Sequence, residues 1–166
     1  PIKQVSTGRK STLKADHINP FLQGLTSVLS SLCGLEPQLG KISLTNTPYI
    51  IENAAVAVGI TGTIKGQVMI EFMNDSAVHV AKCVLGGFEV TELDELAKSA
   101  IGELGNMMLG NAATSLSEIN VIIDITPPTV IVGKAVEVTS RTPTLYVPLA
   151  MGELGSLAVH ISVVEQ

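Results

Sequence analysis

Helix, strand, strand, strand: the pattern of apolar and turn-forming residues runs through this order twice. A chain that repeats itself in this way is constrained to build two related halves. In the first pass Asn19-Pro20 opens a helix, with Asn as the cap and Pro at the first helical position, and Gly34 stops it after Cys33. Strands rich in Val and Ile follow at 41–51, 54–61 and 64–73, with Thr61-Gly62-Thr63 as a tight hairpin signal. Asn74 caps a second helix that passes His79 and Cys83 and ends at Gly86-Gly87. The second pass begins at Thr91, which opens a long helix with Glu92, Asp94 and Glu95 in its first turn, where the helix dipole favours anions. Strands at 120–126, at 136–149 with a break at Arg141-Thr142-Pro143, and at 156–164 complete it. A shift of 80 residues lays Phe21 on Ile101, Val28 on Met108, Leu29 on Leu109 and Thr47-Pro48 on Pro127-Pro128. The expected fold is α+β, an α/β sandwich-like arrangement of two pseudo-symmetric helix–β–β–β halves. Their strands form an antiparallel or mixed sheet, and the long helices pack on one face.

The helix over 93–116 carries the chemistry. At about 100° per residue, Ser99, Glu103 and Asn106 sit near 0°, 40° and −20°, while Ala97, Ile101, Leu104 and Met108 fall near 140° to 200°. A carboxylate and a carboxamide therefore point away from the core, side by side and one turn apart. Gly102, Gly105 and Gly110 flank that stripe, and each costs a helix interior about 1 kcal/mol relative to Ala. Something should approach this backbone closely, either a partner protein or the protein's own sheet. The repeat supplies an internal control. Under the same shift the stripe corresponds to Asn19, Gln23 and Thr26, so the first half has lost both the acid and the amide. Taken by spacing alone, polar residues on the outer face of a helix are ordinarily just solvated.

Composition narrows the classes. Hydrophobic content of 46% with only 15% charged residues suggests apolar surface buried against a second subunit or partner. The longest apolar run, from Pro20, is interrupted by Gln, Ser, Thr and Gly and is too short to span a bilayer, so membrane insertion is not expected. No secretory signal opens the sequence, and a cytoplasmic location is expected. The formal charge of −5, the absence of Trp and the scarcity of aromatics argue against nucleic acid. Basic residues gather only at the start (Lys3, Arg9, Lys10, Lys14), where 1–15 is expected to be a flexible arm ahead of a single domain over 16–166, with repeats near 19–73 and 93–164. Cys33 and Cys83 fit reduced core residues better than a disulfide framework. His79 and Cys83 stand four apart, a spacing open to a metal, but two ligands do not complete a tetrahedral site. The common enzymatic signatures are missing: there is no glycine-rich phosphate loop, HExxH or GxSxG. Gly152-Glu153-Leu154-Gly155 echoes Gly102 to Gly105 but falls in a turn before a strand.

Ser99-x3-Glu103-x2-Asn106, followed by Asp124-Ile125-Thr126-Pro127-Pro128, resembles the signature of the CheC/CheX/FliY phosphatases of bacterial chemotaxis. LDELAKSAIGELGN and DITPPTV are similar to the CheX branch, which carries the acid–amide pair once, whereas CheC carries it in both helices. The likeness runs from about Ile18 to Val164, including PFLQG and GITG; Pro128 stands one position short of the usual spacing from Asn106. The resemblance implies a protein aspartyl-phosphate phosphatase acting on a phosphorylated CheY-like receiver domain. It further implies that Asn106 positions the attacking water, that Glu103 reaches the partner's lysine, and that Ser99 supports the helix. Gly102 and Gly105 would keep the helix surface low for the partner, Gly110 would belong to the same partner-binding support, and Pro127 and Pro128 would shape the facing strand. No cofactor of its own is implied, since the receiver supplies Mg²⁺, and a homodimer formed by strand pairing is expected. The rival reading is a non-catalytic binding module for a phosphorylated receiver or a flagellar switch component. A further alternative is a purely structural dimerisation domain.

Overall fold

The computed structural model describes residues 14–166, so of the basic arm only Lys14 and Ala15 lie inside the described residues. The first half comprises α1 (Ala15–Cys33), β1 (Gln38–Leu39), β2 (Ser43–Thr45), β3 (Tyr49–Ile51), β4 (Ala54–Gly62) and β5 (Ile64–Phe72). A short α2 (Ser76–Val84) leads to the second half: α3 (Glu95–Ser117), β6 (Ile123–Ile125), β7 (Thr129–Val132), β8 (Val136–Val138), β9 (Thr144–Ala150) and β10 (Ser156–Glu165). A single 3-10 turn at Gly152–Leu154 joins β9 to β10, in the place where the sequence shows a turn.

Eight strands form one antiparallel sheet. At its centre β5 and β10 pair along their length, from Leu157 opposite Phe72 to Glu165 opposite Ile64. β9 lies beside β10 and β4 beside β5. Beyond β9 come β1 and β2; beyond β4 come β6 and β7. The order therefore reads alike from either edge, and each half lends its first two strands to the other half's edge. β3 and β8, one from each half, make a separate two-stranded ribbon.

Alternation along the strands decides which face each residue meets. Val56, Val58 and Ile60 of β4, Val68, Ile70 and Phe72 of β5, and Val159, Ile161 and Val163 of β10 form one core with Phe21, Leu25, Ile101, Leu104 and Met108 of the helices. The helices thus cover one face, as expected. Ala55 and Met69 point the other way and form a smaller cluster with Ile51, against which Tyr49, Val136 and Val138 of the ribbon pack. On the same rear face lies a buried pair, Glu71 Oε2 and His160 Nε2, 2.7 Å apart.

Several local expectations are corrected. α1 begins at Ala15, a turn ahead of Asn19, and Pro20 lies inside it. That extra turn is held because Ile18 is buried and because Lys14 and His17 both reach Glu165 Oε1 on β10, at 3.0 and 3.3 Å. Asn74 is not the cap of α2; its backbone is left-handed (φ 50°), and Asp75 precedes the helix without a side-chain cap. Asp94, not Thr91, caps α3, its Oδ1 accepting from the Ala97 N–H at 2.8 Å. Each half holds five strands where three were expected. The 41–51 and 136–149 segments each divide in two, and β1 and β7 were unread. The 80-residue shift that aligns the helices does not align the loops: Pro127-Pro128 joins β6 to β7, whereas Thr47-Pro48 joins β2 to β3, because the connections differ in length.

Candidate active site on the third helix

α3 is buried over most of its circumference, through Ala97, Ala100, Ile101, Gly102, Leu104, Gly105, Met108, Leu109, Ala112 and Leu116. α1 packs along one flank; a Cβ on Gly24 would stand 2.7 Å from the Met108 carbonyl oxygen, so the missing side chain lets the two backbones touch. The sheet supports the other flank, where a Cβ on Gly105 would lie 2.7 Å from Val56 Cγ1. The strip that remains open bears Ser99, Glu103 and Asn106, all exposed. None of the ion pairs and side-chain hydrogen bonds among the described residues involves Glu103 or Asn106. Both functional groups are presented to solvent on a rod clamped from behind. The corresponding strip of α1 carries Gln23 and Thr26, and the Thr26 hydroxyl is turned back to the Gln23 carbonyl at 3.1 Å.

Beside Glu103 runs an open groove of ≈ 440 Å³. Glu95, Lys98, Ser99, Gly102 and Glu103 form its helical wall, and Pro128 and Val130 form the other. Lys98 Nζ is held by Glu95 Oε1 at 2.7 Å, an i,i+3 pair, which leaves Glu103 the unpaired carboxylate of the groove. A Cβ on Gly102 would stand 3.4 Å from Val130 Cγ2 and 3.8 Å from Pro128 Cγ. The proline run thus comes to the site through space, carried by β7 on the edge of β4. Thr126 fixes the approach: its Oγ1 accepts from the Gly59 N–H at 2.8 Å. Two large apolar side chains, Leu96 (58% exposed) and Met107 (36% exposed), stand on the open side of the same helix. Spacing alone missed Glu95, Lys98, Val130 and this apolar flank; Glu95 and Lys98 at i,i+3 offered the one readable signal.

The three glycines divide. Gly105 faces the protein's own sheet and is buried, so it does not lower the surface for a visitor. Gly102 is likewise buried, but at the floor of the groove. Gly110 is exposed with nothing within 4 Å, so no close approach explains it. Of the two residues at metal spacing, His79 and Cys83, the histidine is engaged otherwise: its Nδ1 lies 3.3 Å from the Leu154 carbonyl oxygen. Among the described residues no group of three or more His, Cys, Asp or Glu side chains is placed to hold a metal ion. No helix among them is long and apolar enough to cross a membrane.

Known proteins match this chain in sequence and in fold. The family described as chemotaxis phosphatase CheX matches residues 54–150. The CheY-P phosphatase CheX of Thermotoga maritima is 35% identical over 88% of this chain and 94% of its own. The crystal structure of the chemotaxis protein CheX from Desulfovibrio desulfuricans superposes with a TM-score of 0.79 at 27% identity, over 91% of this chain and 99% of that one. The CheX–CheY–BeF3–Mg²⁺ complex from Borrelia burgdorferi matches with a TM-score of 0.78 at 28% identity, over 92% of this chain and all (100%) of that one. With more than half of its length matching the family and a relative 35% identical over 94% of that relative's length, this chain belongs to the chemotaxis phosphatase CheX family.

Proposed function

We propose that this protein dephosphorylates the aspartyl phosphate of a CheY-like receiver domain, with Asn106 positioning the attacking water and Glu103 fixing the docked register. The observation that carries this reading is the exposed, internally unpartnered acid–amide pair on a helix braced by α1 and β4. An aspartyl phosphate is already a labile acyl phosphate, and the receiver's own Mg²⁺ and lysine offset the charge on the phosphoryl oxygens. What the phosphatase must add is a water held in line with phosphorus. A carboxamide suits that task because it both donates and accepts and does not titrate. A carboxylate in its place would repel the phosphoryl group. Glu103, one turn away, is placed to meet a cation of the receiver, and Leu96 and Met107 offer apolar contact on the same open side.

Support comes from relatives described as a CheY-P phosphatase and as a complex of CheX with CheY, BeF3 and Mg²⁺. The test is release of phosphate from a phosphorylated receiver, measured for the parent and for Asn106→Ala. The variant should lose at least about a hundredfold of the acceleration, about 2.7 kcal/mol of barrier, while its circular dichroism and its binding to a beryllofluoride-loaded receiver stay unchanged. Equal rates for parent and variant would overturn the assignment of Asn106. A parent that binds but never accelerates release would leave a binding module instead. Pairing of edge strands into a homodimer is part of the same proposal, supported by exposed Leu39 and Leu44 on or beside β1 and β2. Light scattering at micromolar concentration should return twice the monomer mass.

A further inference from the structure

α3 holds two buried glycines, and the fold requires only one of them. At Gly105 a Cβ would lie 2.7 Å from Val56 Cγ1, so the sheet itself demands the glycine. At Gly102 the nearest atoms would be Val130 Cγ2 at 3.4 Å and Pro128 Cγ at 3.8 Å, ordinary van der Waals distances for a methyl group. Gly102 also sits in the interior of a helix, where alanine is the better residue. Protein interiors are close-packed, and a gap that a methyl could fill forfeits contacts on both of its sides. The space above Gly102 has no use within this chain's own packing.

The walls of the groove over Gly102 define what it can hold. The side chains of Pro128 and Val130, both half-buried, offer only carbon. Lys98 lines the opposite side with its ammonium held by Glu95 at 2.7 Å, which offsets its charge and leaves an aliphatic stem. Glu103 is the carboxylate left over, so an acidic side chain is repelled there. The groove is continuous with the strip that carries Asn106, because Ser99 and Glu103 belong to both. Around the helix Gly102 lies about 60° to one side of Ser99, and Leu96 and Met107 about 60° to 80° to the other. The polar strip is thus bordered by apolar surface on both flanks.

Resting on the reading of α3 as the surface that meets a CheY-like receiver, we propose that this groove is a docking pocket for an apolar side chain of that receiver. The side chain lies over Gly102, between Pro128 and Val130, while the cation that meets Glu103 stays outside it. Gly102 and Val130 are then specificity-determining residues. A receiver with a charged residue at that point must bury it unpaired and is refused.

Calorimetry against a beryllofluoride-loaded receiver, urea unfolding and phosphate-release kinetics test this on the parent, Gly102→Ala and Val130→Thr. Gly102→Ala should keep or raise the urea midpoint, since the methyl fits and favours the helix. It should nevertheless bind the receiver at least about tenfold more weakly, because the methyl occupies the floor of the pocket. Val130→Thr keeps the β-branched shape but sets a hydroxyl where the apolar side chain must rest, and its affinity should fall at least about threefold. In both variants the loss in kcat/KM should fall on KM more than on kcat. A lower urea midpoint for Gly102→Ala would mean that the fold needs the glycine. Full affinity in that variant would mean that the groove stays empty in the complex, and full affinity in Val130→Thr that its occupant is not apolar. Each of these overturns the pocket while leaving the roles of Asn106 and Glu103 standing. A parent that binds no receiver overturns the reading of α3 itself, and the pocket falls with it.

Discussion

At Asn106 the decisive property is neutrality as much as position. Asn106→Asp keeps the size and the helix but sets a negative charge where a phosphoryl group must come. It should fall to the same low rate as Asn106→Ala in phosphate release; a variant keeping half the parental rate would show that charge at this point is immaterial. Glu103 makes the complementary case. An exposed ion pair in water contributes little, but a carboxylate enclosed against a partner's cation is worth more, so Glu103→Lys should weaken binding to a beryllofluoride-loaded receiver at least about tenfold, about 1.4 kcal/mol. Calorimetry of the two proteins checks this, and an unchanged affinity would remove Glu103 from the interface. The stripe was legible in the sequence because helical periodicity alone puts Ser99, Glu103 and Asn106 together. Pro128 and Val130 were not placeable against Gly102 in the same way, because they reach it from another element.

Within α3 two glycines of identical sequence cost should respond oppositely to one methyl group. At Gly105 the added carbon would lie 2.7 Å from Val56 Cγ1, on a stiff β-branched side chain of the central sheet. Gly105→Ala must lift α3 or displace β4, at about 1–3 kcal/mol, and phosphate release should fall with it because Glu103 and Asn106 ride on the same rod. At Gly110 there is open space, so Gly110→Ala should gain about 0.5–1 kcal/mol of helix stability. Urea unfolding of both variants decides the matter; shifts of the same sign would mean that the sheet does not bear on the helix as drawn. Long elements were readable because they repeat their pattern several times: α1, α3 and the central strands β4, β5 and β10 all emerge from periodicity. β1 and β7 span two and four residues, too few for alternation to declare itself, and β2, β3 and β8 were hidden inside the longer readings at 41–51 and 136–149. Their existence follows from pairing with β9, with β4 and with each other.

Taken as a whole, the molecule is two halves that interleave, and no local pattern in the chain announces that exchange. The repeat foretold the likeness of the halves; that each supplies edge strands to the other depends on contacts far apart in sequence. The seam shows most plainly on the rear face of the sheet. Tyr49 and Glu71 come from the first half, Tyr146 and His160 from the second. The Tyr49 ring stacks on His160 at 4.4 Å with the planes 5° apart, and Tyr146 meets His160 edge-on at 5.2 Å. Burial, and then the nearby Glu71 carboxylate, push the Tyr49 hydroxyl from its ordinary 10.0 to about 12. The sign follows by linkage. Below pH 10 folded and unfolded chains both keep the phenolic proton, and this contribution to stability is complete. Between pH 10 and about 12 the unfolded chain has released the proton while the folded one still holds it, so stability falls as pH rises. Above that window the contribution is gone. Tyr49→Phe retains the stack on His160 and removes the titrating group. Its urea midpoint should therefore decline less than the parent's from pH 10 to about 12, while both decline together for the groups they share, Cys33 and Tyr146, whose pKa values burial also raises. Midpoints that fall in parallel across that range would show that the phenol of Tyr49 is not held in the seam between the halves.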